Sequence, residues 1–324
     1  RCARQAGPSA WWMPLPRDDR RTITAWCFYD WANSAFTTLV VTFVYATYFT
    51  KAIAPDEVTG TAWWSRAVAI TALVVAFLGP VLGAMADQGG LRRRFLALTT
   101  IICITTTTAL TFVAPGRPHA ALTALVLVAI ANISFELGGV FYNAFLPDIV
   151  SPEKLGRVSG YGWGLGYVGG LCCLVIALVG LVQPEVPWFG LSTAEGFNIR
   201  ATCLLVAVWF GVFSLPLLIT ARSEARPVGD AATGIGDALG EIRRAFGQVR
   251  QYRDAARLLL ARLFYNDGLN TIFSFGGIYA AGTFGMSFRD ILIFGIVINV
   301  APGIGAIGFG FVDDRIGGKH TIMV

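Results

Sequence analysis

The sequence predicts an all-α, multi-pass membrane protein, and three observations carry that prediction. The chain is 55% hydrophobic and only 14% charged, with a mean hydropathy of +0.62. Its apolar residues come in long unbroken stretches. Its basic residues gather in every second segment between those stretches. A soluble chain of 324 residues would carry more charge on its surface and would space its apolar residues for one buried face.

Eight apolar stretches lie at about 23–49, 62–86, 95–114, 119–146, 158–182, 199–220, 256–283 and 290–312. Each is near the ~20 residues that a helix needs to cross a ~30 Å hydrocarbon core. Six of them form an N-terminal helical bundle over residues 22–220. A polar linker follows over 221–255. Residues 256–324 make a partial second bundle, two helices and the start of a third. Within the linker, Ile235, Leu239, Ile242, Phe246, Val249 and Tyr252 recur at three- and four-residue steps. That spacing predicts an amphipathic helix on the inner membrane surface, acting as a spacer or as a regulatory element.

The distribution of the basic residues sets the orientation. Arg17, Arg20, Arg21, Arg92–Arg94, Lys154, Arg157, the arginines of the linker, Arg315 and Lys319 fall on one side. Lys51, Arg66, Arg117, Arg200 and Arg289 fall on the other, and Arg262 alone lies within a span. The positive-inside rule makes the first side cytoplasmic and puts the N-terminus there. Topology therefore explains the net charge of +5 and the pI of about 9.0, and no nucleic-acid partner is expected. The chain opens on Arg1, and Met13 reads as a cytoplasmic start, so residues 1–12 read as upstream sequence. No cleavable signal is evident.

Catalytic and metal patterns are missing. The six cysteines have no metal or redox spacing; Cys27, Cys103, Cys172, Cys173 and Cys203 sit in apolar stretches as reduced core residues. No phosphate loop, nucleophile elbow or zinc-binding helix is present. Gly164, Gly166 and Gly169 match a dinucleotide fingerprint, but no strand precedes them and the apolar run continues to Leu181. Gly162, Gly166 and Gly170 instead make one smooth helix face for close packing. No cofactor, metal or enzymatic activity is expected.

The polar residues inside the spans carry the functional signal. Asp30, Asn33, Ser34, Phe36 and Thr37 in span one recur as Asp267, Asn270, Thr271, Phe273 and Ser274 in span seven. At about 100° per residue, each set forms one polar stripe on its helix. Lipid cannot satisfy such groups, so each stripe must face protein or a water-filled cavity. Asn132, Glu136 and Asn143 form a third stripe in span four. A duplicated polar stripe points to a carrier with its site between two repeats. The acids Asp30, Glu136 and Asp267 are candidates for proton coupling or for binding a substrate amine; the alternative is a structural role, pairing with Arg262 or with helix ends.

A second repeat accompanies the first. Gly83, Asp87, Gly90 and Arg92 follow span two, and Gly310, Asp314, Arg315, Gly317 and Lys319 follow span eight. These loop motifs, the six-plus-linker layout and the duplication resemble the major facilitator superfamily, with Gln88 and Leu91 departing from its first loop motif. Within it, Phe28–Phe36, Asn143–Asp148, Gly156–Gly170 and Tyr265–Gly268 look like the autophagy-related vacuolar amino-acid effluxer family and its bacterial relatives. The resemblance implies a major-facilitator-type bundle of twelve helices, here truncated after about eight. It implies secondary active transport of a small solute, amino acids in the eukaryotic members, by alternating access in a bacterial inner or plasma membrane. The expected partners are the solute, protons and the lipid bilayer, and the expected state is a monomer. The alternative is a membrane receptor or scaffold that retains the fold without transporting.

Overall fold

A computed structural model describes residues 18–89, 91–220, 240, 253–284 and 288–323, without the side chains of residues 87–89, 255, 270–284 and 288–299. Every regular element among the described residues is helical. Helix α1 spans Arg20–Ala35. It opens on Asp19, whose carboxylate accepts the backbone N–H of Thr22 at 3.1 Å and the Thr22 hydroxyl at 2.8 Å, satisfying donors that a helix start leaves unpaired. The same rod continues as a π-helical stretch, Phe36–Phe43, then α2, Tyr45–Tyr48, and a second π stretch, Phe49–Ile53.

The remaining helices are α3, Glu57–Gly89; α4, Arg92–Leu110; α5, Ala120–Ile149; α6, Leu155–Ala177; α7, Phe197–Thr220; α8, Arg253–Phe284; α9, Phe288–Ile316; and α10, Gly318–Met323. All eight expected spans coincide with helices. Among the described residues, five segments are long and apolar enough to cross a membrane: Arg20–Ile53, Glu57–Ala86, Ala120–Ile149, Pro152–Val182 and Ala194–Thr220. Helix α4 is less apolar because it begins with Arg92–Arg94 and carries a run of threonines. Pro80, Pro147, Pro216 and Pro302 lie inside helices, which neighbouring helices permit within a bundle. Apart from Gly240, the amphipathic helix expected over 235–252 lies outside the described residues.

Helix α1 is central to the packing. It lies against α6 and α7; α4 lies against α5 and α7, and α3 against α5. Trp26, Tyr29, Phe36, Tyr45, Phe49, Phe141 and Phe145 are fully buried. Trp26 stacks on Tyr142 at 4.4 Å and donates its indole N–H to the Tyr142 carbonyl at 3.1 Å. Outward-facing large apolar side chains, such as Ile70, Leu73 and Phe77 on α3 and Leu204, Val208, Val212 and Leu215 on α7, are exposed. That is the inverse of a water-soluble surface and suits a lipid environment.

The ends of the helices sort into two groups. At one end, Asp18 donates its N–H to the Ile149 carbonyl at 2.9 Å, and its carboxylate accepts from Lys154 at 2.9 Å and from the Ser151 N–H at 3.1 Å. Arg93 reaches the Leu218 carbonyl at that end. At the other end, Tyr48 donates to the Glu195 carbonyl at 2.6 Å and Arg200 to the Thr111 carbonyl at 3.1 Å.

Candidate functional site

The first polar stripe lies at a seam between α1 and α6. Asp30 is half-buried and Asn33 is buried. A Cβ at Gly166 would sit 2.8 Å from Ser34 Oγ and 3.1 Å from Asp30 Oδ2. The glycine therefore makes the room that these two polar side chains occupy. Gly162 and Gly170 do the same for the Trp26 ring and for Thr38 Oγ1, each 2.6 Å from where a Cβ would stand. The hydroxyl of Thr37 donates to the Ser34 carbonyl at 3.1 Å, as Ser and Thr do within apolar helices. Asp30 has no ion-pair partner among the described residues.

The stripe on α5 divides. Asn132 is buried and donates its amide to Thr71 Oγ1 at 2.9 Å, tying α5 to α3. Glu136 and Asn143 are exposed on an open face of the bundle. Glu136 stands mid-span without a hydrogen-bond or ion-pair partner among the described residues. A carboxylate at that depth requires a water-filled cavity or a protein partner rather than lipid. Of the stripe on α8, Asp267 is exposed, and so is Arg262 five residues earlier. The side chains of Asn270, Thr271 and Ser274 lie outside the described residues.

The second loop motif closes a joint between the two halves of the chain. Helix α6 packs against α9. A second glycine row on α6, Gly156, Gly160 and Gly164, faces α9, where a Cβ at Gly164 would meet Ile307 Cγ1 at 2.5 Å. Gly310 returns the close approach, since a Cβ there would lie 2.7 Å from the Gly156 carbonyl oxygen. At the end of this seam the Asp314 carboxylate accepts the Arg157 N–H at 3.1 Å and the Arg157 Nε–H at 2.8 Å. The Asp314 side chain is only 5% exposed. The Arg157 guanidinium also lies 5.4 Å from the Phe311 ring centre. Gly317, at φ +80, ends α9 in the left-handed conformation that glycine adopts at low cost. Arg315 and Lys319 are exposed.

The first loop motif is only partly described. Gly83 lies within α3, and the Asp87 side chain and Gly90 lie outside the described residues. Arg92 pairs with Asp148 and donates to the Ala144 carbonyl at 3.0 Å, joining α4 to α5.

In the sequence Asp148 and Arg157 stand within stretches that resemble the family, and Arg157 stands among the basic residues that set the orientation; neither is marked there as the partner of a loop motif, which only the structure shows. The Gly156, Gly160 and Gly164 spacing was the available sign of the second seam.

The Atg22-like vacuole effluxer model matches residues 52–324. The chain belongs to this family. Among relatives of the Atg22-like family, the uncharacterized MFS-type transporter YxiO of Bacillus subtilis is 29% identical over 305 residues, covering 93% of this chain and 69% of that protein. Autophagy-related protein 22 of Coccidioides immitis is 21% identical over 305 residues, covering 75% of this chain and 49% of that protein. The chain thus spans about two thirds of the first relative and about half of the second. The structure resembles that of the proton:xylose symporter XylE bound to 6-bromo-6-deoxy-D-glucose, with a TM-score of 0.59 at 13% identity, covering 91% of this chain and 68% of that one. That likeness establishes the major facilitator fold. Family and fold are those of transporters rather than enzymes.

Proposed function

We propose that the protein is a secondary carrier that moves a small solute across the membrane by alternating access. Amino acids are the first solute class to test, on the strength of the family. The observation that carries the proposal is the placement of two carboxylates, Asp30 and Glu136, inside membrane-spanning helices with no basic partner among the described residues. A scaffold has no need of such groups, whereas a carrier uses them to bind a proton or an amine. Asp267 on α8 is the counterpart of Asp30 in the second half. The α6–α9 seam, fastened by Asp314 on Arg157, serves as the switch that closes the cytoplasmic side. The carrier acts as a monomer with its N-terminus in the cytoplasm, the side on which Arg92, Arg93, Lys154 and Arg157 collect.

The test is transport by protein reconstituted in liposomes under an imposed pH gradient. The vesicles are loaded with an amino-acid mixture and its loss is followed by mass spectrometry. Gradient-dependent loss of particular amino acids, abolished by Glu136→Gln or Asp30→Asn, supports a proton-coupled amino-acid carrier. Loss that is indifferent to both substitutions removes these acids from the coupling mechanism.

A further inference from the structure

A groove with a volume of about 550 Å³ runs between α3 and α5, a size within the ~300–1,000 Å³ of small-molecule sites. Its wall is apolar, with Ile70 from α3 and Leu125, Val126 and Ala129 from α5. Ile70 and Val126 are exposed, so the groove is open at the surface rather than sealed. The Asn132–Thr71 hydrogen bond marks where the two helices meet. Every residue lining the groove comes before that bond in its own helix. In the orientation proposed above both helices run inward from the outer side, so the groove belongs to the outer half of the bundle. A channel lined in this way stays dry and takes an alkyl chain in preference to water.

Three further lining residues break the apolar pattern: Trp63, Arg66 and His119. Basic residues are scarce on the outer side, and most of the others have a partner or lie elsewhere. Lys51 faces Glu57 at 3.9 Å, and Arg200 donates to the Thr111 carbonyl. Arg66 is exposed and makes no ion pair or hydrogen bond among the described residues. The acids nearest to it along α3 are engaged elsewhere, Glu57 by Lys51 and Asp56 by the Thr59 N–H at 2.9 Å. Side chains on a helix lean toward its N-terminus, which for Arg66 is the outer end. Its long stem can therefore carry the guanidinium to the headgroup level. Trp63, one turn further out, suits the same level. His119 precedes the first turn of α5 and is exposed at the outer mouth. None of the residues lining the groove is acidic. The groove thus pairs an apolar channel with an unneutralised cation near its outer end.

We propose that the α3–α5 groove holds an anionic phospholipid of the outer leaflet, with its phosphate on Arg66 and one acyl chain along Ile70, Leu125, Val126 and Ala129. Charge complementarity selects the headgroup. A guanidinium matches a phosphate, and the lining offers no carboxylate to receive the ammonium of a zwitterionic lipid. The lipid fills the space that the Asn132–Thr71 bond leaves open above it and ties the outer ends of α3 and α5 together.

The test is lipid titration of the detergent-solubilised protein followed by native mass spectrometry, with phosphatidylglycerol and phosphatidylcholine of identical acyl chains. One phosphatidylglycerol should be held more tightly than phosphatidylcholine. Arg66→Gln should weaken that one by about tenfold, the loss of a hydrogen bond between charged groups. Ala129→Phe, which fills the groove and keeps the cation, should weaken both lipids severalfold. Melting temperatures of the lipid-free variants check that each is folded. Equal affinity for the two lipids in the native protein overturns the proposal. Phosphatidylglycerol binding that survives Arg66→Gln places the lipid elsewhere, among the cytoplasmic arginines, and overturns it. Binding that survives Ala129→Phe removes the acyl chain from the groove and overturns it as well. Displacement of the lipid by the amino-acid mixture of the transport assay would make the groove part of the solute path instead.

Discussion

Asp18 shows what one carboxylate does at a helix junction. It is held by Lys154 first and by the Ser151 N–H second, and these bonds lower its pKa from 3.8 to about 2. A depressed carboxylate contributes stability that is fully present above its ordinary pKa and is lost as pH falls through the folded value. The difference in melting temperature between the native protein and Asp18→Asn should therefore be constant above pH 3.8 and should close as pH falls to about 2. A difference that persists at the acid end would mean that the amide, and not the charge, is at fault. Asn132 teaches the converse lesson at the same scale. It shares a helix stripe with Glu136 and Asn143, but its amide is bonded to Thr71. Helical phase alone cannot tell a residue that faces a cavity from one that faces the next helix.

At the scale of elements, α6 is a helix with two glycine faces. Gly162, Gly166 and Gly170 admit α1, and Gly156, Gly160 and Gly164 admit α9. Small residues at four-residue spacing let helix backbones approach closely, which is the main source of packing energy where lipid is as apolar as the helices. Gly166→Ala should destabilise the bundle by about 1–3 kcal/mol, because the added methyl presses on Ser34 and Asp30. Gly139→Ala, in the interior of α5 with open space where its Cβ would go, should instead be neutral or stabilising by about 0.5–1 kcal/mol. Denaturation of the two variants side by side separates the cost of lost room from ordinary helix propensity. Equal effects would argue against the seam. The π-helical stretches Phe36–Phe43 on the first rod and Leu178–Val182 after α6 lie on this same packed pair.

At the scale of the whole molecule, the Asp314–Arg157 joint is where the two halves of the chain are fastened. Separating α6 from α9 at this end must break two hydrogen bonds and expose a carboxylate that is now 5% exposed. Asp314→Asn keeps the shape but removes the charge, and it should weaken the joint by about 1–3 kcal/mol. A reporter introduced as Ala306→Cys, at the position whose carbonyl faces Gly160, should then be alkylated severalfold faster. An unchanged rate in the Asp314→Asn background would mean that the apolar seam alone holds the halves together. The same substitution should alter transport without altering which solute is carried, since the joint lies apart from Asp30 and Glu136.

The sequence by itself determined the class, the helices and most of their order. Apolar stretches of sufficient length, in a solvent that cannot bond to a backbone, leave the chain little alternative to spanning helices. It also determined that Asp30 and Glu136 are unusual, because charge inside such stretches is rare for a physical reason. The tertiary structure alone decided which polar groups share a seam. It turned Asn132 toward Thr71 and left Glu136 open. It gave Asp314 its partner Arg157, and it buried Arg200 against Thr111. Those outcomes depend on which helices become neighbours. Helical periodicity fixes the face on which a side chain lies but not what that face meets.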